Sequence, residues 1–111
     1  MPVFVEFSGF NKRRRSYLDE EAFRLLQNAI LNQTTRIDVI PGTGGLRKAR
    51  WETKGKGKRG GARVVFFHVL DRDIYLMLLI YSKSEKDDLT STQRKSLKQL
   101  VEHELKRLGL G

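Results

Sequence analysis

RVVFFHVLDRDIYLMLLIY, residues 63–81, holds two β-rich runs on either side of a charged turn. Arg63 to Leu70 and Ile74 to Tyr81 are dominated by Val, Phe, Ile, Leu and Tyr. Asp71, Arg72 and Asp73 separate them, a span short enough to predict an antiparallel hairpin. The second run is apolar on both faces, which marks a central strand covered on each side. Taking Leu70 and Ile74 as the pair that flanks the turn sets Arg63 opposite Tyr81. Lys83 then lies about one ladder step beyond Arg63 at the same edge of the sheet. A register slip of one residue turns Arg63 to the other face, so this expectation is sharp.

Immediately upstream, Gly42 to Arg63 carries eight Lys or Arg residues, seven glycines and one acid, Glu52. Within it Leu46 to Glu52 reads as a cationic strand, with Arg47 and Trp51 on one face and Lys48 and Arg50 on the other. Gly55 to Gly61 reads as a glycine-rich loop returning to Arg63. If strands 46–52 and 63–70 pair antiparallel, Lys54, Lys56, Lys58 and Arg59 hang over the edge where Arg63 and Lys83 meet. A Lys-Gly repeat alone is compatible with a solvated loop that keeps a sheet edge from aggregating. An arginine opening one strand and a lysine closing its neighbour are not required for solubility. They point to a polyanion, and a phosphodiester backbone is the commonest one.

Further out, Val3 to Phe7 alternates as a short strand, and the basic cluster Lys12 to Arg15 is expected in a loop. Leu18, Asp19 and Phe23 fit a hydrophobic staple around an Asp N-cap, opening a helix over 19–32 that ends near Asn32. Ile37 to Ile40 is a short extended piece, closed by Pro41 and the turn GTGG. At the other end Thr90 and Gln93 form a capping box. The helix it opens carries a stripe of Leu97, Leu100, Val101, Leu105 and Leu108, with Gly109 as the stop. The element order predicts an α+β domain, a mainly antiparallel β-sheet with helices packed on it, as a single domain over residues 1–111.

Composition narrows the chemistry. The chain has 22 Lys and Arg against 13 Asp and Glu, a formal net charge of +9. Cys is absent, which removes disulfides and thiolate metal sites. His68 and His103 are too few and too scattered for a zinc site, so no metal is expected. His68 sits mid-strand and reads as structural, and His103 lies on a helix face beside Glu102. The longest apolar run, Ile74 to Tyr81, falls far short of the ~20 residues of a membrane span. With no signal-peptide pattern at the start, the expectation is a soluble cytoplasmic protein without membrane or small-molecule cofactor. No carboxylate–histidine pair accompanies the basic patch. Cleavage of RNA there has to rely on lysines and Arg63 to stabilise a pentacovalent phosphate, with the 2′-hydroxyl as nucleophile. Lysines crowded by like charges have a lowered pKa, which makes a proton-transfer role physically possible.

At GTGGLRKARW, KGKGKRGGARVVFF and IYLMLLIYSKSEKDDLT the chain resembles the RelE/HigB superfamily, toxins of bacterial type II toxin–antitoxin pairs. The resemblance spans roughly residues 18–108. Its most telling element is a basic strand, a Gly-Lys loop, GG-x-R opening a strand, and Tyr-Ser-Lys-x-Glu ending the next. The resemblance implies a RelE-like microbial ribonuclease fold. It also implies an endoribonuclease that cuts mRNA on the translating ribosome, needs no metal, and is neutralised by a cognate antitoxin. The family's arginine at the start of the strand after the loop falls on Arg63, and its lysine at the end of the following strand on Lys83. Its loop lysines fall among Lys54, Lys56 and Lys58. On this reading Arg63, Lys83, Lys56 and Lys58 are the catalytic set. Arg47, Arg50, Lys54, Arg59 and Lys86 grip flanking mRNA or ribosomal RNA. The chain departs from the family where some members carry a second arginine, here Ser84. It departs again where some carry a tyrosine shortly before the last helix, here Leu89 and Thr90. The alternative is a module that binds RNA or DNA through the same basic patch without cutting it.

Overall fold

A computed structural model describes residues 1–52, 61–85 and 88–110. Its centre is the expected hairpin, formed by β4 (Ala62–Val69) and β5 (Ile74–Ser82). Arg63 stands opposite Tyr81, as the sequence predicts, but Val69 rather than Leu70 closes the hairpin against Ile74. Leu70–Arg72 instead form a 3₁₀ turn, and Asp73 follows in the left-handed region at φ 52°. Asp tolerates that conformation better than most residues, and Leu70 is left 78% exposed. A β-bulge between Val65 and Phe66 places one extra residue on β5 and restores the register. The two departures cancel by the time the strands reach Arg63.

The sheet has five strands in the order β1-β5-β4-β3-β2, where β1 is Val3–Glu6, β2 Ile37–Val39 and β3 Arg47–Trp51. β1 runs parallel to β5 and every other pairing is antiparallel. Two cores flank this sheet. Helices α1 (Ser8–Tyr17) and α2 (Glu20–Asn32) cover one face, where Phe10, Leu26 and Ile30 pack with Val64, Phe66, Met77 and Ile80. Helix α3 (Ser91–Arg107) covers the other, where Leu97 and Val101 pack with Val65, Leu76, Leu78 and Tyr81. The double cover explains why β5 is apolar on both sides.

Helix α1 corrects the sequence reading, which put Lys12 to Arg15 in a loop. Its buried positions are Phe10, Arg14 and Tyr17, an i, i+4, i+7 stripe with a cation at its middle. Arg14 is neutralised there by Glu6 at 3.2 Å and Glu20 at 2.9 Å, and its guanidinium lies 4.4 Å from the centre of the Phe23 ring. Apolar periodicity misses such a helix because the residue at its centre is charged.

Helix α2 begins as predicted: the Ala22 N–H donates to the Asp19 carboxylate at 2.8 Å, and Leu18 and Phe23 are both buried. It ends one residue later than predicted, with Gln33 rather than Asn32 as the left-handed cap. The capping box of α3 is complete, Gln93 N–H donating to Thr90 Oγ1 at 3.1 Å and Thr90 N–H to Gln93 Oε1 at 2.9 Å. Leu100 leaves the predicted stripe and is exposed. No helix among the described residues is long and apolar enough to cross a membrane.

Candidate functional site

Strand register assembles the site. The Arg50 N–H donates to the Arg36 carbonyl at 2.9 Å, extending the β2–β3 pairing by one residue. Arg50 is paired with Arg63, and Arg63 with Tyr81. Four neighbouring backbones thus line up Arg36, Arg50, Arg63 and Tyr81 across one end of the sheet. Tyr81 belongs to the core under α3, and alternation puts Arg63, Arg50 and Lys48 on that same face. Arg63 is only 7% exposed, and its Nη1–H reaches back to the Ala62 carbonyl at 3.4 Å. Like charges directly opposite one another destabilise a sheet. Arg50 facing Arg63 is such a pair, and an anion placed between them reverses the sign.

Two carboxylates border the row. Asp38 Oδ2 accepts from Arg36 Nε at 3.1 Å and lies 3.9 Å from Arg50 Nε. Asp88 Oδ1 accepts from the Leu89 N–H at 2.8 Å and lies 3.5 Å from Lys48 Nζ. The Leu89 N–H first, then the charges of Lys48 and Arg94, hold the Asp88 carboxyl below the usual carboxylate range. Burial pushes the Tyr81 phenol up, and the Asp88 charge adds to this while Arg63 opposes it. The phenol is therefore neutral at physiological pH, a hydroxyl donor and not a base.

Lys83 lies just beyond β5, exposed, with its N–H donating to the Gly61 carbonyl at 3.4 Å. Relative to Arg63 it holds the diagonal position of an antiparallel pair, about 7–8 Å away between Cα atoms. Its turn is tied down: Glu85 Oε1 accepts from the N–H and Oγ of Ser82 at 3.1 and 3.0 Å, and Arg13 of α1 donates to Glu85 Oε2. Gly61 closes the same end of the sheet at φ +72°, where a Cβ would stand 2.2 Å from the Trp51 carbonyl oxygen.

Of the residues singled out from sequence, the structure brings Arg50 and Arg63 together and sets Lys83 beside them. It separates Arg47, which alternates to the opposite face and lines a small pocket of about 360 Å³ with His68 and Tyr75. Lys54, Lys56, Lys58, Arg59 and Lys86 lie outside the described residues. Lys48 shares the face of Arg50, a placement already visible in strand alternation, yet sequence reasoning did not choose it. Arg36, Asp88 and Arg94 were also missed. Arg36 carries no local signal, because only its pairing with Arg50 brings it to the row. Arg94 reaches the region through Nη1, which donates to the Leu89 carbonyl at 2.9 Å. Leu89, one of the two residues at the missing family tyrosine, is buried in the core under α3, and Thr90 caps that helix. His68 is structural as expected, 3.0 Å from Asp73 and stacked on Tyr75 with centroids 3.9 Å apart.

A row of cations across one sheet end, with a neutral phenol at its end and acids only at its margin, can hold a phosphodiester. It can also stabilise charge that grows on one. A family model described as the RelE toxin of the RelE/RelB toxin–antitoxin system matches residues 6–108.

Proposed function

The chain belongs to the RelE toxin family, and from that premise we propose that it is a metal-independent endoribonuclease that cuts mRNA on the translating ribosome. Arg63 and Lys83 hold the scissile phosphate. The 2′-oxygen attacks phosphorus as the bond to the 5′-oxygen breaks, leaving a 2′,3′-cyclic phosphate and a 5′-hydroxyl. The proton lost by the 2′-hydroxyl and the one gained by the 5′-oxygen pass through Lys56 or Lys58. Arg63 contributes most as negative charge grows on the phosphoryl oxygens, because a partly desolvated guanidinium acts in a low local dielectric. Its planar fork suits two such oxygens at once. Tyr81 backs Arg63 from within the core, while Arg50, Lys48 and Arg36 carry the flanking strand. Arg47, Lys54, Arg59 and Lys86 add grip beyond the row.

The observation that carries this reading is Arg63, buried between Arg50 and Tyr81 at the open end of the hairpin. A reporter mRNA in a translating extract tests it. Wild-type protein is expected to yield new 5′-hydroxyl ends only while translation runs, and none at a 2′-deoxy nucleotide placed at the cut site. Cutting across that 2′-deoxy position contradicts the mechanism.

A second reading, RNA or DNA binding without cleavage, draws support from Leu89. Its side chain is packed in the core where some relatives carry a phenol. It gives salt-sensitive binding and no product even with translating ribosomes present.

A further inference from the structure

Arg47 stands near the turn end of the central hairpin, on the sheet face covered by α1 and α2, where its strand partner Phe66 belongs to the core. The pocket of about 360 Å³ that it lines with His68 and Tyr75 lies apart from the cation row. Among its described lining residues there is none of Arg36, Lys48, Arg50, Arg63 or Lys83. Along β4, His68 is five residues from Arg63, about 17 Å of strand. We propose that this pocket binds one nucleotide, its base stacked on His68 and its phosphate held by Arg47 and the Tyr75 hydroxyl. The proposal goes beyond the nuclease reading and does not depend on it.

A column of rings crosses three strands here. Phe4 of β1 pairs with Tyr75 of β5, and Tyr75 with His68 of β4. Their rings stack in that order, with centroids 4.8 and 3.9 Å apart. The next strand supplies no fourth ring. Continuing the β3–β4 register past Arg47 and Phe66 brings Gly45 opposite His68, and a Cβ on Gly45 would meet Phe67, which packs in the other core. The column therefore ends at His68, whose side chain is 23% exposed. Asp73 holds the Nε2 edge of that ring at 3.0 Å and fixes its plane. A flat, fixed aromatic face takes any base, because every base has a π-face.

The polar groups around this face are unspent. Neither the exposed Arg47 guanidinium nor the Tyr75 hydroxyl has a hydrogen bond or ion pair with a described residue, although Tyr75 is only 8% exposed. Burial pushes the Tyr75 phenol up and the Asp73 charge adds to this, while the Arg47 charge opposes it. The phenol thus stays protonated and can donate, and the guanidinium is near enough to act on it. Ile37 and Leu70 add apolar sides to the pocket. Ring face, cation, hydroxyl donor and apolar sides together are the chemistry of a nucleotide site. A free mononucleotide and one residue of an RNA chain both satisfy it.

The test is titration of the full chain with 5′-AMP, decaadenylate and inorganic phosphate, followed by NMR of the imidazole protons. The chain has two histidines, so His103 serves as the reference. Saturable upfield movement of the His68 signals, with His103 unmoved, is expected. Movement with 5′-AMP assigns the site to free mononucleotides, and movement with decaadenylate alone assigns it to a residue of RNA; both support the proposal. Arg47→Ala is expected to weaken the binding seen at His68 about 10-fold, and Tyr75→Phe, which keeps the ring column, about 3-fold. His68 signals that stay still with both nucleotide ligands overturn the proposal, as do signals that follow inorganic phosphate as far as 5′-AMP. Unchanged binding in both variants overturns it as well. None of these readouts requires cleavage, so a chain that cuts no mRNA yet shows the His68 shift loses the nuclease reading and keeps this site.

Discussion

Gly61 and Arg63 show how narrow the tolerances are at the scale of single residues. Gly61 adopts φ +72° with the Trp51 carbonyl pressed against the place where a Cβ would sit. Gly61→Ala therefore combines left-handed strain with a backbone clash and is expected to cost ~2 kcal/mol or more. Chemical denaturation measures it, and an unchanged midpoint contradicts the close approach. Asp88 offers a pH test. Its folded pKa is depressed, so the stability it contributes is present above the ordinary carboxylate range, about pH 4, and is lost as pH falls through the folded value. Its side chain is largely exposed, which limits the effect to about 1 kcal/mol or less. Asp88→Asn is expected to lower the melting temperature slightly at pH 7 and to match wild type near pH 2. A gap of equal size at both values contradicts the Leu89 and Lys48 account.

Elements show where local pattern suffices and where it does not. The capping box of α3 and the staple of α2 were legible because each is written in residues three to five apart. Arg63 opposite Tyr81 was legible for a less general reason. The 3₁₀ turn at Leu70 and the bulge near Phe66 shift the register by one residue in opposite directions, and neither has a distinct local signature. Helix α1 was illegible because Arg14 takes the core position that periodicity reserves for an apolar side chain, and its neutralising partners Glu6 and Glu20 lie on other elements. Arg14→Ala loses the Phe23 contact and two charged hydrogen bonds and is expected to cost about 2–3 kcal/mol. Arg14→Met restores apolar packing and is expected to recover most of that loss. Urea midpoints of both variants decide the matter, and equal losses contradict a packing role.

For the molecule as a whole, the five-stranded sheet separates two surfaces. One end of its α3 face gathers Arg36, Lys48, Arg50 and Arg63 with Lys83 beside them, while Arg47 turns away to the other face. The general location of the site was legible from the density of cations between Gly42 and Arg63. Its membership was only partly so, because strand parity and pairing decide which cations share a face. If five of these cations each meet a phosphate of single-stranded RNA, log affinity is expected to fall with log salt at a slope of about −3.5. Arg50→Ala reduces the slope by about 0.7, and Arg47→Ala changes it less; equal effects contradict the division of faces. The central claim is that the guanidinium of Arg63 stabilises the phosphate as it reacts. Its most direct test is the single-turnover cleavage rate of mRNA on programmed ribosomes for wild type and Arg63→Ala, each shown by its melting curve to be folded. The expected result is a loss of about 10²–10³-fold with the cut sites unchanged. A folded Arg63→Ala protein that cuts within 3-fold of the wild-type rate contradicts it.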